Sequence, residues 1–256
     1  MTVAVVTGAG RGLGRGIAIG LAAAGHDLVL GWNRDRSSLL ETLSEVTDRG
    51  VRAVAVQGDV SDPGTSARLA AAATGDLGGL DVWVNNAGVS VLAPLTGTTT
   101  TDLERMMAVN FYGVFHGVQA AASAMGGTGG GGRIINVASD LGLEAAPLLA
   151  GYSATKFAVV GLTQAAAVEL GPLGISVNSV CPGTVETDMV ATEEQAEAHL
   201  TGRPVDEVRA RLVAAVPAGR LCTVEDVAAV VVFLAGPTAG FVTGQAICTN
   251  GGSIRH

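Results

Sequence analysis

Short apolar runs alternate with longer, alanine-rich stretches along this chain, and that alternation sets the expected fold before any motif is read. The runs are Val3 to Thr7, Asp27 to Trp32, Val51 to Gln57, Leu80 to Asn85, Arg133 to Ala138, Ile175 to Val180 and Gln245 to Thr249. Most are continuous rather than alternating, which predicts strands covered on both faces, as in a parallel sheet. The stretches near 13–24, 38–49, 63–74, 102–125, 152–171 and 225–235 predict helices. Asp62-Pro63 and Thr101-Asp102 read as helix starts, and Gly25, Gly50 and Gly174 as stops. Strand and helix in turn, with right-handed crossovers, predict an α/β fold built on one doubly wound parallel sheet of about seven strands flanked by helices.

Two stretches break this rhythm. Residues 126–132 (GGTGGGG) predict a flexible surface loop before a strand. Residues 187–217 carry Glu193, Glu194, Glu197, His199, Glu207 and Arg209 at helical spacing and contain no strand run. They predict a helical insertion, for which a substrate lid is one use. With no internal repeat and no linker composition, residues 1–256 are expected to form a single dinucleotide-binding and catalytic domain.

Composition changes the picture in a few places. Apolar residues make up 48% of the chain and charged residues only 15%. The helices at 102–125 and 152–171 are apolar on several faces, more than one sheet face requires, which predicts burial between subunits. A net charge of −8 argues against nucleic acid as a partner, since phosphate binding needs clustered Lys and Arg. No apolar run is long enough to span a membrane, and the N-terminal MTVAVVTGAGRG reads as a first strand rather than a signal peptide. Cys181, Cys222 and Cys248 lie far apart, with neither metal-ligand spacing nor an even count. They are expected to be reduced thiols in a cytoplasmic protein, with no metal site.

The first strand runs into Gly8-x-x-x-Gly12-x-Gly14 and then an apolar helix, the context that makes a glycine turn credible as a pyrophosphate cradle. Glycine lets the backbone approach the phosphates, and the free N–H groups near Leu13 face their charge. At the end of the second strand, an acid would select NAD(H) by binding the ribose 2′-hydroxyl. The run here is Trp32-Asn33-Arg34, without that acid. Arg34 and Arg11 could face a 2′-phosphate, so NADP(H) is expected over NAD(H). Two competing readings are that Arg34 is a solvated loop charge and that Asp35 neutralises it.

Further along, Tyr152 and Lys156 stand at i and i+4 in YSATK, with Ser139 upstream. Taken with the glycine turn, these residues resemble the short-chain dehydrogenase/reductase family, over nearly the whole chain. TGAGRGLG resembles its cofactor turn, Asp59-Val60 its adenine-contacting segment, and Asn86-Ala87-Gly88 (after Asn85) its sheet-stabilising motif beside the cofactor. Asn110, Ser139, Tyr152 and Lys156 match its catalytic tetrad in order and spacing. Cys181-Pro182-Gly183-Thr184-Val185-Glu186-Thr187 resembles the segment that holds the nicotinamide carboxamide. The resemblance implies a Rossmann-type fold, a homotetramer, and cofactor contacts from Pro182, Gly183, Val185 and Thr187, together with Tyr152 and Lys156. Within the family, the C-terminal part looks like reductases of acyl thioesters, diketones and polyols. Ala138 departs from a serine frequent in relatives. Asn250 departs from an aspartate, which bears on packing or assembly rather than on catalysis.

The chemistry expected is reversible hydride transfer between a nicotinamide and the carbonyl or secondary alcohol of a small or medium substrate. Tyr152 serves as general acid or base, and its phenol, with a free pKa of about 10, must fall toward neutrality to work in both directions. Lys156 supplies a nearby positive charge, Ser139 positions the substrate oxygen, and Asn110 holds a relay water. Alternatively, Asn110 satisfies backbone groups, Asp59 is a turn residue, and Asp140 either serves a turn or touches substrate. A hydrolase is disfavoured because no GxSxG elbow exists and His26, His116, His199 and His256 are scattered. An NAD-dependent polyol or alcohol dehydrogenase, a cofactor-binding sensor without turnover, and a non-redox epimerase or dehydratase are the other readings.

Overall fold

Every position of β1 (Val3–Val6) is buried, with β2 (Asp27–Trp32) pairing on one side and β4 (Val82–Asn85) on the other. The computed structural model describes residues 2–126 and 130–255. In it the remaining strands are β3 (Ala53–Gln57), β5 (Gly132–Val137), β6 (Ile175–Pro182) and β7 (Ala246–Thr249). All pairings are parallel, in the order β3-β2-β1-β4-β5-β6-β7. The order reverses between β1 and β4, and a ligand crevice is expected outside the carboxyl ends of strands at such a point. The α/β, doubly wound parallel sheet expected from the apolar runs is therefore present.

The helices are α1 (Gly12–Ala23), α2 (Arg36–Thr47), α3 (Pro63–Ala72), α4 (Thr100–Met107), α5 (Gly113–Gly126), α6 (Ala150–Leu170), α7 (Asp188–Thr201), α8 (Val205–Ala214) and α9 (Val224–Ala235). Side chains alternate across a strand, so Ala4 and Val6 pack against α1, α2 and α9, while Val3 and Val5 pack against α3, α5 and α6. Val51 and Leu80 were expected inside strands. They are buried, but in the lead-in segments, contributing apolar surface without entering the ladder.

The helix expected over 102–125 is interrupted. Thr99 and Asp102 cap α4 reciprocally, and a single π-helical turn, Ala108–Tyr112, separates it from α5. π-turns of this kind are frequent at functional sites, and this one holds the fully buried Asn110. The 187–217 insertion is two helices, parted where Gly202 turns left-handed (φ 70°) and Pro204 precedes α8. Of the glycine-rich stretch, residues 127–129 lie outside the described residues, as does His256; Gly126 closes α5 and Gly132 opens β5.

A polar chain crosses the apolar centre. The Trp83 indole N–H donates to Asn85 Oδ1 (2.7 Å), Asn85 Nδ2 to Asn136 Oδ1 (2.9 Å), Asn136 Nδ2 to Thr163 Oγ1 (2.9 Å), and Thr163 Oγ1 to the Val159 carbonyl (2.8 Å). It joins β4 and β5 to α6, the helix that carries Tyr152 and Lys156. Asn136→Ala would strand the Asn85 amide, so stability should fall by on the order of 2–3 kcal/mol. Urea unfolding would show this as a lower midpoint at unchanged slope; an unmoved midpoint would mean that the chain contributes nothing.

Candidate active site

The turn after β1 is laced to the end of β4. The Thr7 hydroxyl accepts the backbone N–H groups of Asn86 (2.9 Å) and Ala87 (3.1 Å), and Asn86 Nδ2 donates to the Thr7 carbonyl (3.0 Å). A Cβ on Gly14 would lie 2.1 Å from the Gly8 carbonyl oxygen, so only glycine lets α1 start this close to the strand. Arg11 occupies the N-cap position without a side-chain cap bond, and no acid stands in the first turn of α1. The leading N–H groups around Gly12 and Leu13 are thus left for an anion, which the helix dipole also favours. The residues present fit a dinucleotide pyrophosphate.

At the far side of this turn, Asn33 Nδ2 donates to Asp59 Oδ2 (3.1 Å), and Asp59 Oδ1 accepts from the Ser61 backbone N–H and hydroxyl (3.0 and 2.7 Å). These bonds, led by those from Ser61 and helped by the positive Arg34, hold the Asp59 carboxyl below its usual range. Asp59 is therefore both a turn residue and a neighbour of Asn33 and Arg34. Val60 lies over the start of α5, where a Cβ on Gly113 would come within 2.7 Å of its methyl. Arg11 points elsewhere, to 3.9 Å from Asp188 at the start of α7, with both side chains mostly exposed.

The tetrad residues come from three places: the π-turn, the end of β5 and α6. Ser139 follows β5, accepts the Leu141 backbone N–H (3.1 Å), and caps a short 3-10 turn, Asp140–Gly142. Tyr152 and Lys156 lie in the first turns of α6, with Lys156 Nζ 5.5 Å from the Tyr152 ring centre. Lys156 is buried and donates to the Val137 carbonyl (2.9 Å). Burial lowers its pKa to about 8, opposed in part by Cys181. Asn110 exchanges two bonds with the Val89 backbone (both 2.8 Å) and donates to Thr155 Oγ1 (3.1 Å), which itself donates to the Tyr152 carbonyl (2.7 Å). Asn110 thus satisfies backbone groups, and it also steadies the first turn of α6. A Cβ on Gly88 would lie 3.5 Å from Asn110 Oδ1 and 3.9 Å from Lys156 Nζ. Gly88 thus brings the backbone close to both polar atoms.

One expectation for this site needs correcting. The protein's own groups push the Tyr152 phenol above its ordinary value rather than toward neutrality. Burial contributes most, the Glu193 and Asp140 carboxyls add to it, and the Ser139 hydroxyl opposes it.

Pro182 ends β6, and the Gly183 N–H donates to the Thr249 carbonyl (3.1 Å). Val185 is buried in an isolated bridge to Cys222, and Thr187 is the N-cap of α7. Asn250 braces the C-terminal turn, donating to the Ile254 carbonyl (3.0 Å) and accepting from the Gly252 N–H (3.1 Å). Asp140, whose pKa is raised by burial, accepts from Ser253 (3.3 Å) and ties this turn to the serine segment. Burial also pushes the Cys181 thiol up to about 11, which keeps it unreactive. Among the described residues there is no metal-ligating cluster and no helix long and apolar enough to cross a membrane. Two further polar groups do not stand out in the sequence as site residues: Glu193 on α7, whose charge acts on Tyr152, and Ser90 after Gly88, which faces Glu193. Ser90 lies two positions beyond Gly88, a spacing that could have flagged it. The acidic run around Glu193 masks which carboxyl faces inward.

Comparison with known proteins agrees with this arrangement. The family described as short chain dehydrogenase matches residues 2–198. L-2,3-butanediol dehydrogenase of Corynebacterium glutamicum is 40% identical over 253 residues, covering 98% of both chains. A diacetyl reductase of Staphylococcus epidermidis, of the (S)-acetoin-forming type, is 37% identical over 98% of each. The crystal structure of an NAD+-bound xylitol dehydrogenase superposes with a TM-score of 0.93 at 30% identity, over 98% of both chains. The chain belongs to the short-chain dehydrogenase family. It is an oxidoreductase of the type that acts on CH–OH groups with a nicotinamide cofactor.

Proposed function

We propose that the protein interconverts a small secondary alcohol and its ketone, with Tyr152 as general acid in reduction and general base in oxidation and NADP(H) as preferred cofactor. The observation that carries this reading is the placement of Tyr152 between Ser139 and Lys156, beside the point where the strand order reverses. When bound, the nicotinamide supplies the hydride in reduction and, in oxidation, accepts it while carrying a positive charge that favours phenolate. Ser139 holds the substrate oxygen, Tyr152 Oη gives it a proton or takes one, and Lys156, anchored on Val137, keeps a cation under the ring. A water between Asn110 and Lys156 would relay that proton to solvent. Gly8, Gly12, Leu13 and Gly14 would hold the pyrophosphate, Asn33, Arg34, Asp59 and Val60 the adenosine, and Asn86, Ala87, Gly88, Pro182, Gly183, Val185 and Thr187 the nicotinamide half.

The names of the relatives favour diketones, hydroxyketones and short polyols over acyl thioesters as substrates. The α7–α8 segment is the proposed lid. Exposed Tyr112, Phe115 and Phe157, on the outer faces of the π-turn, α5 and α6, support a homotetramer. The unpaired cysteines are compatible with a cytoplasmic setting. An NAD-dependent polyol dehydrogenase is the second reading, favoured by the NAD+-bound neighbour. The test is to mix the protein with diacetyl or acetoin and either reduced cofactor, following nicotinamide absorbance and product together. Cofactor consumption matched by alcohol formation supports the reading. Binding without turnover would favour a sensor, and product formed without net cofactor use a non-redox enzyme.

Because its pKa is raised, the Tyr152 phenol stays protonated at neutral pH. Reduction, which needs that proton, should be fast near neutrality and fall as pH rises. Oxidation, which needs the phenolate, should gain as pH rises toward the raised phenol pKa, and the gain should be blunted above about 8, where Lys156 loses the charge that favours phenolate. Profiles of kcat/KM in both directions check this; parallel profiles would exclude a shared acid–base group.

A further inference from the structure

The inner stripe of the proposed lid helix α7 is unusually acidic. Val190, Glu193, Glu194 and Glu197 recur at helical spacing and are all at least partly buried. Two of the three carboxyls have cations. Glu194 pairs with Arg209 (3.3 Å) and Glu197 with Arg211, both from α8. Glu193 has no ion-pair partner among the described residues. It turns the other way, toward the tetrad, close enough for its charge to act on Tyr152. The polar group facing it is the Ser90 hydroxyl, which is buried and makes no hydrogen bond of its own within bonding distance. Ser90 is held firmly, because Asn110 clamps the adjoining Val89 backbone at both its N–H and its carbonyl.

A partly buried carboxyl without a cation, next to a buried hydroxyl without a partner, is an incomplete hydrogen-bonding pair. We infer that Glu193 and Ser90 bind the second oxygen of the substrate, and so select vicinal diols and α-hydroxyketones over simple secondary alcohols. Glu193 accepts a hydrogen bond from the neighbouring hydroxyl while the reacting oxygen lies between Ser139 and Tyr152. Ser90 can donate to that second oxygen or accept from it, which suits a hydroxyl and a carbonyl alike. A substrate lacking the second oxygen would leave both groups shielded from water and unpaired, and sites built this way reject such analogues strongly.

This inference rests on the proposed alcohol–ketone chemistry, so its test separates the two. Oxidation of 2,3-butanediol and of 2-butanol is compared, with NADP+ and with NAD+, in the wild type and in Glu193→Ala, Glu193→Gln and Ser90→Ala. The ratio of kcat/KM for the diol to that for the mono-alcohol should be well above unity in the wild type. It should fall by roughly ten- to a hundredfold in Glu193→Ala, as for loss of a charge-assisted bond, and less in Glu193→Gln and Ser90→Ala. Melting curves and cofactor titrations establish that each variant is folded. An unchanged ratio in Glu193→Ala, or an equal loss on both alcohols, would overturn the inference and leave the oxidoreductase reading intact. Absence of Tyr152-dependent oxidation of either alcohol would overturn both.

Discussion

Tyr152→Phe is expected to lower turnover by about 10²- to 10⁴-fold, the usual contribution of a positioned proton donor or acceptor. Cofactor affinity should stay within about twofold, because Lys156 and the glycine turn keep the other expected contacts in place. The substitution deletes one oxygen and keeps the ring beneath Lys156, so packing at the start of α6 is preserved. The backbone of that turn is held through the Tyr152 carbonyl and Thr155, not through the phenol. A large fall in kcat with intact binding would therefore report the proton and not the fold. It should also abolish the opposed pH profiles of the two directions. Single-turnover absorbance and nicotinamide fluorescence separate the two quantities. Near-normal turnover in Tyr152→Phe would remove the acid–base assignment, and Ser139 would be the next group to examine.

The inner strands were legible because they are buried on both faces and so need not alternate. Val82 to Asn85 and Ile175 to Pro182 are buried at every position, so their runs are mostly apolar, with small hydrogen-bonded polar residues such as Asn178 and Ser179 among them. Strand ends were less legible, since Val51 and Leu80 are as buried as strand residues while lying outside the ladder. The break in the long helix was hidden for another reason. Its π-turn surrounds Asn110, whose partners Val89 and Thr155 are distant in sequence. Local periodicity carries no trace of such partners. The break in the 187–217 insertion was signalled by Gly202 and Pro204, though the acidic stretch around it reads as one unit.

The site divides along the same line. Residues that act through backbone geometry or fixed spacing, such as the glycine turn and the Tyr152–Lys156 pair, were visible in the sequence. What depends on a third dimension was not. The phenol's pKa was expected to fall because a lysine stands one helical turn away. In the structure, burial and the carboxyls of Glu193 and Asp140 act the other way. Glu193 reaches the tyrosine from a separate helix, so its influence became apparent only with α7 in place.

Cofactor choice turns on charges at the ends of β2 and β3, and Arg34→Ala should weaken NADPH binding by roughly ten- to a hundredfold, as for one charge-assisted bond to phosphate. NADH should change by about threefold or less, since it lacks the charge that Arg34 would meet. The competing idea that Asp35 neutralises Arg34 loses its basis in the hydrogen bonding. Asp35 caps α2, accepting from the Ser37 and Ser38 hydroxyls (2.7 Å each) and from the Ser38 N–H (3.1 Å). Those bonds, led by Ser38, lower its pKa to about 2 and commit its oxygens to the helix start. Arg34 has no ion pair among the described residues, and its charge is felt by Asp59. Asp59 is the opposing term. A carboxylate held ionised by Ser61 and Asn33 would repel a 2′-phosphate unless a cation offset it. Removing Arg34 should therefore do more than delete an attraction, because it leaves the repulsion from Asp59 unscreened. Arg11→Ala should have a smaller effect, since that side chain lies toward Asp188. Rising salt should narrow the gap between NADPH and NADH in the wild type and leave little to narrow in Arg34→Ala. Equal losses for both cofactors would take Arg34 out of the phosphate site. Tighter NADH binding by the wild type would instead make the Asn33–Asp59 pair the group that receives a ribose hydroxyl.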